Sequence, residues 1–254
     1  MRQSSAPHAR LWQLDALRGL ALLNMLAYHA MYDWVYLFGH ESSWYSIWSP
    51  GCHAWQQYIC WSFVLLSGLS FSLSRRPLKN GLLVSACAAV LTLVTVTVMP
   101  EESIWFGVLH LLGSAVLITC LLRSLLEKIP AGAGMALSAL LFFLTNQVPY
   151  GALGFESLRL AELPAALYAR NWYILGFPDL SVFSSADYFP LIPWLFLYWT
   201  GYFFGKKFLP ALHRYAGTPP ALLRPLCALG SHTLPIYMIH QPVIYGGLWL
   251  VSLI

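Results

Sequence analysis

The sequence predicts an all-α fold, a polytopic membrane helix bundle of about seven transmembrane helices with the N-terminus in and the C-terminus out. Three observations predict it. Only 9% of the 254 residues are charged and 58% are hydrophobic. A soluble domain carries roughly 25% charged residues, so this inventory does not cover a water-facing surface. The apolar residues gather in stretches of about 20, the length that crosses a hydrocarbon layer. The basic residues then sort to one side of the resulting topology. Eleven Trp and fourteen Tyr fit the same picture, because amphipathic rings collect at membrane interfaces.

The stretches run at 14–36, 53–73, 81–99, 105–126, 131–148, 187–206 and 228–252. The first holds the densest set of polar residues. The second and third flank the basic turn 74–80 with Arg75, Arg76 and Lys79. The fourth and fifth flank 122–129 with Arg123 and Lys128. The sixth opens on Asp187 and is followed by 207–227 with Lys207, Arg214 and Arg224. The seventh begins Gly230-Ser-His-Thr and carries His240, Gln241 and Pro242. One long connection, 149–186, separates the fifth and sixth. It contains Pro149, Gly151, Gly154, Pro164, Gly176 and Pro178, and Leu158–Arg170 is expected as an interfacial helix. No internal repeat or linker divides the chain, so 1–254 reads as a single transmembrane domain.

Seven crossings place 1–18, 74–80, 122–129 and 207–227 on one side. With Lys206 these carry twelve of the fourteen basic residues, Arg2, Arg10 and Arg18 among them; the other side has Arg159 and Arg170. Positive loops stay cytoplasmic, so the 149–186 connection is extracytoplasmic. The net charge of +4 is small and scattered, and nucleic acid is not expected as a partner. Five Cys with no close CxxC pair signal neither a disulfide framework nor a zinc site, and no metal is expected. No cleavable signal peptide is read at the start.

Ionisable groups inside membrane helices are costly and mark candidate sites. The first span holds Asp15, Arg18, Asn24, His29 and Asp33, with His40 just past it. Residues 18, 29 and 40 are eleven apart, close to three helical turns, so they share one stripe in a straight helix. Asp33, one turn beyond His29, is placed to fix its tautomer and raise its basicity, the chemistry of a general base. A packing or proton-relay role is the plainer alternative. Asp15 and Arg18 read first as a structural ion pair. A straight helix would hold His29 and His40 about 16 Å apart, and Gly39 predicts a helix end there. His110 lies near the outer end of the fourth span. Asp187 either caps its own helix or joins the same outer-leaflet group. His240 and Gln241 either line a cavity or satisfy the break at Pro242.

The block Leu14-Asp-Ala-Leu-Arg-Gly-Leu-Ala-Leu-Leu-Asn-Met25, followed by Tyr28-His-Ala-Met-Tyr-Asp33, resembles the opening span of the heparan-alpha-glucosaminide N-acetyltransferase catalytic-domain family, most closely its short bacterial membrane members. Gly107-Val-Leu-His-Leu-Leu-Gly113, Asp187-Tyr-Phe-Pro-Leu-Ile-Pro-Trp194 and Leu234-Pro-Ile-Tyr-Met-Ile-His-Gln-Pro242 are similar to its other blocks, in the same order. The resemblance implies a multi-pass protein of the bacterial cytoplasmic (inner) membrane. It implies transfer of an acetyl or other acyl group from acetyl-CoA, as co-substrate, to an acceptor on the far side. In the lysosomal enzyme that acceptor is a terminal glucosamine amine. The family's histidine in the first outer loop matches His40, in Phe38-Gly-His-Glu-Ser-Ser-Trp44. The lysosomal pattern has Asn where this chain has His29, whereas the bacterial His-x-x-x-Asp is kept as His29 and Asp33, so both histidines stand as candidates.

The catalytic set expected on these grounds is His29, Asp33, His40, His110 and Asp187. A histidine acts as base toward an acceptor amine or hydroxyl, or takes the acyl group first as nucleophile. His110 or His240 donates to the oxyanion. Arg18, Arg75, Arg76 and Lys206, with Lys79 and Lys207, are the candidate cations for the CoA phosphates, and His240 and Gln241 complete the CoA-facing set. A glycan or other small acceptor and membrane lipid are the expected partners; a single chain and a homodimer both fit. The competing class is a proton-coupled transporter without covalent chemistry, which also uses mid-membrane His and Asp. The absence of an inverted repeat weighs against it.

Overall fold

The computed structural model describes residues 11–253. Arg2 and Arg10, counted above among the cytoplasmic basic residues, lie outside that range. The described chain is mostly helical, at 70%. Its helices are α1 (Trp12–Tyr32), α2 (Pro50–Ser70), α3 (Pro77–Val98), α4 (Val108–Leu121), α5 (Arg123–Leu126), α6 (Ala131–Thr145), α7 (Leu191–Leu212), α8 (Arg224–Ser231) and α9 (Thr233–Ser252). Helix is thus found at each of the seven apolar stretches. Among the described residues, two stretches combine the length and apolarity needed to cross a membrane, Pro77–Val98 and Ala131–Tyr150.

Local chemistry sets the boundaries. Pro77 stands at the start of α3, where a missing N–H is harmless and a fixed φ is already helical. α1 runs on into a π-helical turn, Asp33–Leu37, and the chain leaves it through Gly39 at φ +73°. That left-handed exit is the helix end expected there. The wider π turn also breaks the eleven-residue stripe before His40. The fourth stretch yields a shorter helix than 105–126, because Gly107 is extended and Leu122 interrupts the helix before α5. Ile192 is extended too, so the regular turns of α7 follow Pro193. The seventh stretch is split at His232 into α8 and α9.

The interfacial helix expected over Leu158–Arg170 is not formed. That segment opens as β2 (Leu158–Glu162), paired antiparallel with β1 (Ala152–Phe155). Gly154 at φ +143° and Glu156 at φ +51° supply the backbone turn, and Pro164 has no N–H to extend a helix through the segment.

The chain divides into two compact units, Met1–Phe63 with Leu209–Ile254, and Val64–Phe208. In the first unit α1 crosses α8 at glycine. A Cβ on Gly19 would lie 2.0 Å from the Leu226 carbonyl oxygen, and one on Gly230 would lie 1.8 Å from the Asp15 carbonyl oxygen. The Cys227 thiol donates to the Trp12 carbonyl at 3.4 Å along the same seam. Above it Leu22, Met25 and Ile59 form a buried cluster with Trp55 and Ile236 packed against it. Trp55 Nε1 donates to Asn24 Oδ1 at 2.9 Å, which gives the intrahelical Asn24 a partner.

The second unit repeats the device. Gly201 and Gly205, four apart on α7, face the carbonyls of Leu65 and Leu69, and Gly68 faces the carbonyl of Tyr198. Small residues at this spacing let helix backbones approach where no hydrophobic force between helices exists. Polar cross-links add to it: Trp199 Nε1 donates to Thr119 Oγ1 and the Thr200 hydroxyl to Ser138 Oγ, each at 3.0 Å. The Lys206 ammonium donates to the carbonyls of Glu127 and Ile129 at 2.8 Å and of Leu126 at 3.4 Å. A cation on the exposed carbonyls of a helix end complements their partial negative charge.

Two outcomes follow from this packing. Gly230→Ala forces a methyl into the Asp15 carbonyl and is expected to lower stability by about 3 kcal/mol or to abolish folded protein; Gly217→Ala, in open space, leaves the melting temperature in detergent unchanged. Lys206→Met removes donors from three carbonyls, and a loss of about 1 kcal/mol is expected with acetyl-CoA affinity unaltered. Thermal melting beside calorimetric titration separates the two effects.

Candidate functional site

The site builds from one helical spacing. His29 and Asp33 are four apart, so both side chains leave the same face at the end of α1. His240 and Gln241 leave adjacent positions of α9. The structure joins these four into two rungs. The rings of His29 and His240 meet edge to face with centroids 4.8 Å apart. One turn along, Gln241 Nε2 donates to Asp33 Oδ1 at 2.7 Å. Asp33 is wholly buried at 0% exposure and His240 nearly so at 8%. The contacts found at His29 and Asp33 thus include partners from α9.

Tautomers follow from the partners. His240 Nδ1 lies 2.5 Å from the Tyr237 carbonyl oxygen. A carbonyl only accepts, so Nδ1 carries the hydrogen and Nε2 of the neutral ring keeps its lone pair. His240 Nε2 and Gln241 Oε1 are both buried and have no hydrogen-bond partner among the described residues. In the neutral ring the one N–H is engaged by the Tyr237 carbonyl. Gln241 is tied to Asp33, not to the break at Pro242.

His40 stands apart from the His29 stripe. It is exposed, its backbone N–H donates to the Trp34 carbonyl at 3.1 Å, and its ring stacks on Trp34 with centroids 3.7 Å apart and 18° between planes. Beside Trp34 a cavity of about 360 Å³ is lined by Met31, Glu41, Ser42, Ser43 and Trp44. Tyr45, 2% exposed, pins the loop by donating to the Tyr28 carbonyl at 3.4 Å, and burial pushes its phenol above the usual range. Trp34 was missed in the sequence: in a run rich in aromatics, nothing marks one ring as the platform for a histidine.

Asp187 and His110 each bond near the start of α4 in the second unit, to different partners. Asp187 lies in the loop ahead of α7, outside the helix, and does not cap that helix. Its Oδ2 accepts from the Val108 N–H at 2.9 Å, so it caps α4. The pairing of Phe189 N–H with the Phe106 carbonyl at 2.9 Å and of Ala186 N–H with the Ser103 carbonyl at 3.1 Å brings it there. His110 Nε2 lies 3.2 Å from Thr92 Oγ1, whose own hydrogen goes to the Ile104 carbonyl at 2.8 Å. Nε2 therefore donates to Thr92, and His110 too has its N–H engaged. Both residues tie the first turn of α4 to other segments.

The candidate cations divide in the same way. Arg18 pairs with Asp15 at 2.9 Å, as expected of a structural ion pair. Lys206 is bound to the carbonyls of Leu126, Glu127 and Ile129. Arg75, Arg76 and Lys79 are exposed at the start of α3. In the long connection, Arg159 bonds Glu162 at 2.9 Å and lines a cleft of about 450 Å³ with Tyr150, Tyr168 and Asp179. The Ser181 hydroxyl and N–H hold the Asp179 carboxyl below the usual range.

No curated protein and no solved structure matches the chain. A sequence model described as heparan-alpha-glucosaminide N-acetyltransferase, catalytic, matches residues 10–242. That range takes in both rungs, from His29 and Asp33 at one end to His240 and Gln241 at the other. The chain belongs to the heparan-alpha-glucosaminide N-acetyltransferase catalytic family.

Proposed function

We propose that the chain is a multi-pass acetyltransferase of the bacterial cytoplasmic membrane, moving an acetyl group from cytoplasmic acetyl-CoA to an amine or hydroxyl of a sugar-like acceptor on the far side. The observation that carries this reading is the family match, which spans the whole histidine cluster of the first unit. The family supports an acetyltransferase acting on sugar-like acceptors.

Membrane residence rests on a physical contrast. The most apolar window of Pro77–Val98 has a mean hydropathy of 2.3 yet only 11% of it is buried. Leu82, Leu83, Leu93, Val94 and Val98 are exposed on it. A helix apolar all round belongs either in a core or in lipid, and this one is not in a core. Seven crossings and the one-sided basic loops then set the N-terminus in, leave the hairpin connection 149–186 outside, and make 1–254 one acyltransferase domain.

The chemistry asked of the cluster is modest. A histidine takes a proton from the acceptor nitrogen or oxygen as that atom bonds to the acyl carbon. The carbon–sulfur bond breaks, and the CoA sulfur leaves as thiolate. The acyl-CoA supplies the activated carbonyl; Arg75, Arg76 and Lys79 supply exposed positive charge for its phosphates.

The test uses the purified full chain in sealed vesicles with labelled acetyl-CoA outside the acceptor compartment and glucosamine within. His29→Ala is expected to lower transfer at least ~100-fold. His40→Ala reports on the outer-loop histidine in the same assay. Full activity in both variants would remove His29 and His40 from the mechanism. Absence of acetyl-CoA binding together with substrate-driven proton flux would identify a carrier instead. Arg75→Ala with Arg76→Ala is expected to raise the KM for acetyl-CoA about tenfold, equivalent to ~1.4 kcal/mol, with little change in kcat.

A further inference from the structure

The two rungs of the first unit end in two open valences of the same kind. His240 Nε2 is a lone pair, because Nδ1 holds the ring hydrogen for Tyr237. Gln241 Oε1 is a lone pair, because the amide nitrogen is turned to Asp33. Both atoms are buried without a protein partner. Buried acceptors left unmatched cost free energy, so native interiors supply them with donors. The group that fits here is one that gives N–H or O–H hydrogens. An acyl thioester carbonyl only accepts and does not match. The nucleophile of the transfer reaction, a sugar amine or hydroxyl, does.

We propose that His240 Nε2 is the atom that receives the acceptor's proton, and that Gln241 Oε1 orients the same amine or hydroxyl. This rests on the acetyltransferase reading and adds the base and the substrate class that this end of the first unit recognises. As the acceptor's nitrogen or oxygen bonds to the acyl carbon of acetyl-CoA, its hydrogen passes to His240 Nε2. The electron pair of the carbon–sulfur bond leaves with the thiolate. His240 is then an imidazolium with Nδ1–H still on Tyr237, edge to face with His29. His240 and Gln241 thus belong to the acceptor side of the reaction, not to the CoA-binding set in which the sequence places them.

The geometry of Nδ1 provides the discriminating variant. In His240→Asn the side-chain amide sets an N–H where Nδ1–H stands, so the bond to Tyr237 is kept while Nε2 is deleted. With labelled acetyl-CoA and glucosamine on the full chain in vesicles, transfer is expected to fall at least ~100-fold, with melting temperature and acetyl-CoA affinity equal to wild type. Transfer within threefold of wild type would overturn the proposal and leave Nε2 to a structural water. A parallel loss of acetyl-CoA affinity would also overturn it, returning His240 to the CoA side. Where the Asn variant does not fold, His240→Gln keeps the volume of the ring but carries an amide too weakly basic to take a proton, and the same loss is expected. Gln241→Met is expected to raise the KM for glucosamine about tenfold with acetyl-CoA affinity unchanged; an unmoved KM overturns the role of Oε1. If wild type itself makes no labelled product, the acetyltransferase reading fails, whereas transfer by wild type and His240→Asn alike removes only His240.

Discussion

The bond between the buried Asp33 carboxylate and the Gln241 amide is the constraint on which the first unit turns. A carboxylate at 0% exposure is tolerated only with polar partners. Gln241 provides one from the far end of the chain, 208 residues away. Fixing Gln241 in turn places His240, its neighbour, against His29. The Asp33–Gln241 bond and the His29–His240 ring contact are thus two features of one register of α9 on α1.

That register needs backbones close enough for short polar side chains to reach. Glycine supplies the approach. Gly19 and Gly230 bring α1 and α8 into carbonyl contact in the first unit, while Gly68, Gly201 and Gly205 do so in the second. This gives the Asp15-x-x-Arg18-Gly19 block a physical meaning. Its carboxylate and guanidinium neutralise each other at 2.9 Å, and its glycine is the contact surface. The block thus forms a joint between α1 and α8.

Several polar residues that stand out along the chain serve architecture in the same manner. Asp187 caps α4, His110 is tied to Thr92, and Lys206 satisfies carbonyls beyond α5. Each is a long-range bond between segments roughly 20 to 80 residues apart, of the kind that membrane interiors favour because no water competes for the donors. Apolar helices can therefore present more conspicuous polar residues than a site requires, and the partner, not the residue type, separates the two uses.

Helix at the seven apolar stretches was legible in the sequence because hydrophobic length is a local property. So were the exit through Gly39 and the Asp15–Arg18 pair, which depend on neighbours within one turn. The hairpin at 152–162 was not, because a helical assignment of Leu158–Arg170 is overruled by pairing with β1 and by the positive φ at Gly154 and Glu156. The composition of the candidate site, His29, Asp33, His240 and Gln241, was also readable as ionisable and polar groups inside apolar runs. Which of them touch was decided by tertiary structure alone. Hydrogen bonds between side chains 208 residues apart leave no periodicity in the chain, and a tautomer is set by whichever carbonyl the fold brings to one nitrogen of the ring.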